Sequence, residues 1–236
     1  MHSEQEPNRA GGVGSAAALI PPRPTLRALQ QTAAECRACR LYQTATQTVF
    51  GEGSTKAEVM FVGEQPGDRE DIAGKPFVGP AGALLDRALE RVGIDRTKVY
   101  VTNAVKHFKW TPRGKRRIHK RPAADEIAAC RPWLEAEIRI LKPTVIVCLG
   151  ATAAQALLGR QFRVTQHRGE FVDSPLALWV TATVHPSSIL RAETDEDREE
   201  QMEAFVTDLQ KVADKIAEGQ RAAGRAWACE LPRGRE

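Results

Sequence analysis

The residue types most suited to chemistry are concentrated between Lys106 and Arg121. Eight of these sixteen residues are Lys or Arg, none is acidic, and two histidines and two aromatic residues stand among them. Cations at this density neutralise phosphates and release their counterions, while aromatic faces stack on unpaired bases. The segment therefore predicts contact with a nucleic-acid backbone, and it places the imidazole of His119 within the same charged surface. A solvated basic loop without a chemical role has the same composition and stays open as an alternative.

Four cysteines form a second candidate site. Cys36 and Cys39 are separated by two residues, while Cys130 and Cys148 follow far downstream, near a helix start and within a predicted strand. Cytosolic cysteines in such an arrangement are more often metal ligands or buried apolar residues than disulfides. Soft thiolates suit an iron–sulfur cluster, whereas zinc sites usually use two closely spaced pairs. The spacing leaves a cluster, a zinc ion and core cysteines as alternatives, and Cys229 lies outside the pattern as an expected free thiol.

The composition indicates one globular domain between two tails. The chain has 236 residues, 42% of them hydrophobic, which is enough to bury one sizeable core. The net charge is only +4, so the basic character is local and favours steering towards one site. No apolar run approaches the roughly 20 residues of a membrane span, and residues 16–20 are too short for a signal-peptide core, which predicts a cytoplasmic protein. Composition predicts a disordered N-terminal tail at 1–24, a folded domain at 25–218 and a flexible tail at 219–236.

Short β-branched runs predict four buried strands, at residues 58–63, 98–103, 144–150 and 178–184. Helical periodicity follows at about residues 80–92, 122–141, 151–158 and 196–217. This alternation predicts a three-layer α/β/α sandwich with a central, mainly parallel four-stranded sheet. Such sheets bind ligands beyond the carboxyl ends of their strands. Polar residues follow three of these predicted ends: Glu64 with Gln65, Asn103, and His185.

The motifs at these strand ends carry a resemblance. Four motifs occur in order: residues 63–68 (Gly-Glu-Gln-Pro-Gly-Asp), 74–82 (Gly-Lys-Pro-Phe-Val-Gly-Pro-Ala-Gly), 102–103 (Thr-Asn) and 185–188 (His-Pro-Ser-Ser). Together they resemble the motif set of the uracil-DNA glycosylase superfamily, whose iron–sulfur family four branch is the nearest large group. Within that branch, Gln65 and the insertion at 115–119 (Lys-Arg-Arg-Ile-His) resemble a small group called uracil-DNA glycosylase X. The similarity spans roughly residues 30–215, and the ordered set is specific although each motif alone is weak.

The resemblance implies a DNA-repair glycosylase that reads a flipped uracil base. It implies that Phe77 stacks on the base, that the Asn103 amide pairs with the uracil edge, and that Gln65 lies at the base. It also implies that His185 donates a hydrogen bond to uracil O2 and stabilises the leaving anion. Without the motifs, a core Phe, a turn-forming Asn and a structural His would be the ordinary interpretations.

The resemblance also implies how the sugar is captured. Glu64 is expected to position or activate the nucleophile and to face the cation-like sugar. Gln65 stands where other branches carry an Asp base or a small residue, which argues against water activation by an Asp there. His119 is expected to attack C1′ and stay attached to the DNA, as the histidine of the uracil-DNA glycosylase X group does. The alternatives are a family four enzyme that turns over and a noncatalytic iron–sulfur DNA-binding module.

The resemblance further implies the cofactor and the partner. A [4Fe-4S] cluster is expected on Cys36, Cys39, Cys130 and Cys148. The partner is expected to be uracil-containing DNA bound by a monomer, and the aromatic residues Phe108 and Trp110 favour single strands. Six further residues are predicted to contact DNA: Lys106, Lys109, Arg117, Ser187, Ser188 and Arg191.

Overall fold

The computed structural model describes residues 14–229, with side chains as far as residue 221. Its strands are β1 (Glu52–Gly53), β2 (Val59–Gly63), β3 (Val99–Asn103), β4 (Trp110–Arg113), β5 (Arg116–His119), β6 (Val145–Leu149), β7 (Phe171–Val172) and β8 (Trp179–Thr183). Six of them form one sheet in the order β1-β3-β2-β6-β8-β7, and β4 pairs with β5 in a separate hairpin. The four inner strands are parallel and confirm the prediction. The two-residue edge strands β1 and β7 add antiparallel pairs that the sequence pattern did not predict.

Helices cover both faces of the sheet. They are α1 (Leu26–Ala33), α2 (Asp68–Ala73), α3 (Pro80–Arg91), α4 (Ala124–Leu141), α5 (Ala151–Leu158), α6 (Val164–His167), α7 (Pro186–Ile189) and α8 (Asp195–Cys229). One core cluster joins the sheet to α3, α7 and α8, and a second joins it to α4 and α5. The three-layer α/β/α sandwich and the four predicted helices are therefore confirmed. The short helices α1 and α2 had not been predicted.

Alternation along the strands divides the core. On β2, Val59 and Phe61 point into the cluster with α3 and α8, whereas Met60 and Val62 point into the cluster with α4 and α5. Both sets are almost fully buried, because helices cover each face of a parallel sheet. This explains why the strand sequences are continuous apolar runs rather than alternating ones.

The ends of the chain differ from the predicted tails. Residues Ala16–Leu19 form a 3₁₀ turn, and the fully buried Ala16 belongs to a third core cluster with Leu29 of α1 and Trp133 of α4. Helix α8 continues to Cys229, well beyond the predicted helix end. The remaining predicted tail segments, 1–13 and 230–236, and the side chains of Trp227 and Cys229 lie outside the described residues. Within residues 14–229, none of the helices is both long and apolar enough to cross a membrane.

A buried ion pair ties β3 to α4. Lys106 follows β3 and is completely buried, and its Nζ donates to Glu137 Oε2 on α4 over 2.5 Å. The same ammonium donates to Thr102 Oγ1 and to the backbone oxygen of Asn103 over 2.5 and 2.9 Å. Glu137 Oε1 also accepts from the Tyr100 hydroxyl over 2.9 Å. The prediction that Lys106 contacts DNA is therefore wrong, because its charge is used in the interior.

Breaking this pair from one side should destabilise the fold. Lys106→Met leaves Glu137 buried without a cation, which typically costs about 3–5 kcal/mol. Lys106→Met combined with Glu137→Leu removes both charges, so we expect the double variant to be more stable than the single one. Denaturant unfolding of the three proteins measures this difference. A single variant as stable as the wild type would show that the pair does not stabilise this region.

Candidate active site

The ends of the four parallel strands surround one open pocket of about 860 Å³. Because parallel strands end at the same edge, residues that are distant in sequence meet there. The lining includes six predicted site residues, namely Glu64, Gln65, Phe77, Asn103, His119 and His185, together with the predicted DNA contacts Ser187 and Arg191. The structure thus brings the predicted catalytic and base-binding residues together in one cavity.

The Asn103 amide lies at the buried end of the pocket. The residue is 3% exposed, and its backbone oxygen is held by Lys106 Nζ. Gly63 faces it across the β2–β3 pair, and a Cβ at that position would collide with Asn103 Oδ1 and with the Phe77 ring. The glycine at the end of β2 is therefore required for Asn103 and Phe77 to approach each other.

Phe77 is held in an unfavourable backbone conformation. Its φ of 57° lies in the left-handed region, which is rare for a bulky side chain and is found mainly where surrounding contacts enforce it. The nearby Glu70 carboxylate enforces the turn by accepting a hydrogen bond from Gly79 N over 2.7 Å. The Phe77 ring stacks on the His185 ring with a centroid distance of 6.2 Å and an interplanar angle of 28°. The two rings together form an aromatic wall of the pocket.

His185 is oriented as a neutral hydrogen-bond donor. Its Nδ1 accepts from Ser187 N over 3.1 Å, which leaves the proton on Nε2. Burial is the main cause that lowers the pKa of His185 to about 4, and the nearby His119 and Arg191 act in the same direction. At neutral pH the imidazole is therefore uncharged, with Nε2–H available for an acceptor in the pocket.

His119, Glu64 and Gln65 form the opposite side of the pocket. His119 Nε2 lies 3.5 Å from Glu64 Oε1 and 2.9 Å from Gln65 Nε2. The amide nitrogen of Gln65 only donates, so this contact favours an unprotonated His119 Nε2. Burial is the main cause that lowers the pKa of His119, against the opposing effect of Glu64. The half-exposed imidazole is thus neutral, with an unprotonated Nε2 that accepts from Gln65 and lies beside a carboxylate.

The hairpin that carries His119 is braced by Arg117. Arg117 donates to Asp68 Oδ1 over 2.6 Å and to Asp71 Oδ2 over 2.5 Å, both on α2. Its guanidinium also lies over the rings of Phe108 and Trp110, at 5.4 and 5.5 Å from their centroids. The basic segment is therefore a folded hairpin whose central cation faces the body of the protein.

Several residues that were predicted to contact DNA bind other groups of the protein instead. Arg117 is committed to Asp68 and Asp71, and Lys109 Nζ donates to the buried Glu126 over 2.8 Å. Ser188 Oγ donates to the backbone oxygen of His185 over 2.8 Å and so closes the first turn of α7. Phe108 is 1% exposed and cannot stack on a base, which removes one of the two aromatic residues behind the single-strand prediction.

The cysteines separate into two places. Cys36, Cys39 and Cys130 share the cluster between α1 and α4, whereas Cys148 lies on β6 in the cluster beneath α4 and α5. Burial raises the pKa of the Cys130 thiol to about 12, against the opposing effects of the Lys106 charge and of the hydrogen bond from Lys106 N, while Cys39 and Cys36 act in the same direction as burial. For Cys148, burial is the sole cause of a similar rise. The structure does not bring Cys148 to the other three cysteines.

A histidine lies beside this group of three cysteines. The N–H of Lys106 donates to Cys130 Sγ over 3.2 Å, and the next residue, His107, is 3% exposed. Its Nε2 is 2.9 Å from Thr48 Oγ1, whereas the buried Nδ1 has no hydrogen-bond partner. Among the described residues, no three His, Cys, Asp or Glu side chains are grouped as ligands of a single ion. In a [4Fe-4S] cluster each iron binds its own protein ligand, so the four ligands lie farther apart than the ligands of a single ion. The three cysteines and His107 offer an arrangement of this wider kind.

Several lining residues had not been predicted as site residues from the sequence, among them Glu70, Arg121 and Thr152. Thr152 follows β6, the one inner strand whose end carried no predicted site residue. The motif Leu149-Gly150-Ala151-Thr152 indicates that Thr152 is a site residue, since the sheet pattern places the end of β6 at the same edge of the sheet as Glu64.

Comparison with known proteins gives consistent matches. The family model described as the uracil DNA glycosylase superfamily matches residues 50–210. A type-4 uracil-DNA glycosylase of Thermotoga maritima is 42% identical over 70% of this chain and 82% of its own length. The type-4 enzyme of Sulfurisphaera tokodaii is 34% identical over 86% of this chain and 94% of its own length. A type-5 enzyme of Pyrobaculum aerophilum is 32% identical over 58% of this chain and 64% of its own length.

Proposed function

The chain belongs to the uracil-DNA glycosylase superfamily, and from this premise we propose that it excises uracil from DNA as a repair enzyme. The observation that carries the proposal is the convergence of Asn103, Phe77, His185 and Glu64 on one pocket. A base reader, a stacking ring, a neutral donor and a carboxylate are the groups that cleavage of an N-glycosidic bond requires.

The base side of the reaction follows from the orientation of these groups. A uracil that enters the pocket can stack on Phe77, while the Asn103 amide accepts from N3–H and donates to O4. As the C1′–N1 bond breaks, its electron pair moves onto the base, and negative charge develops on O2. His185 Nε2–H stabilises that charge without transferring its proton, because the imidazole is already neutral.

The sugar side of the reaction has two possible outcomes. Glu64 faces the forming cation at C1′ in both of them. In the first outcome, water attacks C1′, Glu64 accepts its proton, and the enzyme turns over. The type-4 relatives favour this conventional outcome over the self-trapping one.

A specific contact favours the second outcome. His119 Nε2 lies 3.5 Å from Glu64 Oε1 within the pocket, and it is unprotonated, so its electron pair can attack once the hydrogen bond that it accepts from Gln65 is released. We propose that this nitrogen attacks C1′ as uracil leaves, which forms a C1′–Nε2 bond and an imidazolium beside Glu64. Water then has no easy approach to C1′, so the C1′–Nε2 bond is not hydrolysed and the protein stays attached to the DNA.

Asn103→Asp should impair uracil excision. A carboxylate accepts hydrogen bonds but cannot donate to O4, and its charge repels the departing anion. Since removing one donor to a developing anion typically lowers the rate about 100- to 1,000-fold, we expect a loss of that size. Uracil release from an oligonucleotide with one deoxyuridine measures it, with equal thermal stability as the folding control. An unchanged rate would contradict the assigned role of Asn103.

His119→Ala should abolish any product that resists denaturation. The wild-type protein is mixed with a uracil oligonucleotide and run on a denaturing gel, and the attached peptide is mapped by mass spectrometry. We expect a shifted band that maps to His119 in the wild type and in the matched control His167→Ala, which alters an exposed histidine. His119→Ser should admit water and release free uracil without attachment. A shifted band that persists in His119→Ala would show that His119 is not the nucleophile.

We also propose a [4Fe-4S] cluster held by Cys36, Cys39, Cys130 and His107. The shared location of the three thiols and the unpartnered, buried His107 Nδ1 support this ligand set. When bound, the cluster would cross-link the segment of Cys36 and Cys39 to α4 and to the loop after β3. The set with Cys148 as the fourth ligand is the alternative.

Two substitutions separate these ligand sets. We expect Cys148→Ala to keep the iron content and the visible absorption of the wild type. His107→Ala should lower the iron content or change the spectrum, and His107→Cys should restore a fully thiolate-ligated cluster. Iron and acid-labile sulfide analysis with absorption spectroscopy measures the difference, independently of activity. Loss of iron in Cys148→Ala, with retention in His107→Ala, would establish the alternative set.

A further inference from the structure

Glu64 is held by Thr152 through Oε2, the carboxylate oxygen other than the one near His119, and Thr152 is held in turn by Arg121. The Thr152 hydroxyl donates to Glu64 Oε2, and Arg121 Nε donates to Thr152 Oγ1 over 3.1 Å. Arg121 is itself fixed by a second hydrogen bond, from Nη2 to Gln155 Oε1 over 3.0 Å. Arg121, Thr152 and Glu64 all line the pocket, so this chain of hydrogen bonds ends at the reaction site.

The chemistry of the three groups gives the hydrogen bonds one direction. A guanidinium has only donors, so Thr152 Oγ1 must accept from Arg121. The hydroxyl has a single proton, which is therefore directed at the Glu64 carboxylate. Each donor in such a series polarises the next, which strengthens the final bond to the carboxylate.

The fold fixes the pair of Glu64 and Thr152 independently of the hairpin. Glu64 follows β2 and Thr152 lies in the first turn of α5 after β6, and these two strands are parallel neighbours in the sheet. Thr152 is 3% exposed, so its hydroxyl has few alternative partners. The positive end of the α5 dipole further favours a carboxylate at this position.

Arg121 connects the same group to the segment that carries His119. Only Lys120 separates the two residues, and the Lys120 backbone oxygen accepts from Gln65 Nε2 over 3.0 Å. Arg121 therefore fixes the end of this segment against α5, while Arg117 fixes the hairpin against α2. The approach of His119 to Glu64 and the orientation of Glu64 depend on one continuous set of contacts.

We propose that Arg121 and Thr152 are positioning residues that set the rotation of the Glu64 carboxylate. A terminal carboxylate torsion is otherwise broad, so an unheld Glu64 would sample many orientations. With Oε2 engaged by Thr152, Oε1 is directed into the pocket, 3.5 Å from His119 Nε2. This inference rests on the proposed glycosylase activity, because it concerns the carboxylate that faces C1′.

Thr152→Val tests the proposal at nearly constant side-chain volume. Loss of the hydroxyl should lower the single-turnover rate of uracil release between about 10-fold and 100-fold, the loss expected from a misplaced catalytic group. Binding of a 2′-fluoro-deoxyuridine oligonucleotide, whose glycosidic bond resists cleavage, should change by less than about 3-fold, since Thr152 does not hold the DNA. Thr152→Ser keeps the hydroxyl and should restore the rate. A Thr152→Val rate equal to that of the wild type overturns the proposal.

Thr181→Val is the matched control. Thr181 is also a buried threonine, on β8, but its hydroxyl has no hydrogen-bond partner in the described structure. Replacing the Thr181 hydroxyl by a methyl group should leave the rate of uracil release unaltered. A similar loss of rate in both variants would assign the effect to the core and overturn the proposal.

A double-variant comparison with Glu64→Ala tests whether Thr152 acts through Glu64. Adding Thr152→Val to Glu64→Ala should cause no further loss, because the group that Thr152 positions is absent. Multiplied losses would mean that Thr152 acts elsewhere. An inactive wild-type protein would instead contradict the proposed function itself, which keeps the two failures distinct.

Arg121→Gln separates positioning from DNA contact. A positioning role predicts a lower rate of uracil release with nearly unchanged binding of the same 2′-fluoro oligonucleotide. Weakened binding with a shallower salt dependence and an unchanged rate would identify Arg121 as a phosphate contact and overturn its part of the proposal.

Discussion

The common edge of four parallel strands is the constraint on which the site depends. Strands β2, β3, β6 and β8 all end there, and each end supplies one polar group to the pocket: Glu64, Asn103, Thr152 and His185. No local sequence pattern could bring these groups together, because they come from segments far apart in the chain. The sheet does so through main-chain hydrogen bonds and apolar packing on both faces. The arrangement of these four groups is therefore fixed by the sheet itself.

The sugar side of the pocket has a different origin. His119 lies on a hairpin outside the main sheet, and its position depends on polar contacts rather than on a core. Arg117 provides the main brace by pairing with two carboxylates of α2 and lying over two aromatic rings. Gln65 completes the attachment, because its Oε1 accepts from Lys109 N and its Nε2 donates to the backbone oxygen of Lys120. The strand-end groups are therefore fixed by the sheet, whereas His119 is fixed by the contacts of the hairpin.

The sequence predicted the strands, the main helices and most of the pocket, because periodicity and turn residues are local signals. It failed where a charged or aromatic side chain finds a partner far along the chain. Lys106 was assigned to DNA, yet its partner Glu137 lies on α4, and Arg117 was assigned to DNA although its partner Asp71 lies on α2. Cys148 lies in the core cluster with α4 and α5, apart from the cluster of the other three cysteines, which its position in a strand sequence does not reveal. Recognising such long-range pairs requires the fold, which composition and spacing do not supply.

The proposed function requires that the pocket reads the hydrogen-bond pattern of uracil through Asn103. Cytosine presents a donor at the position of uracil O4 and an acceptor at N3, so the same amide orientation would face a mismatched edge. The direct measurement is the amount of free base released from two oligonucleotides that differ only in a single deoxyuridine or deoxycytidine. We predict release of uracil, with cytosine release below detection. Equal release of both bases, or release of neither, would contradict the account.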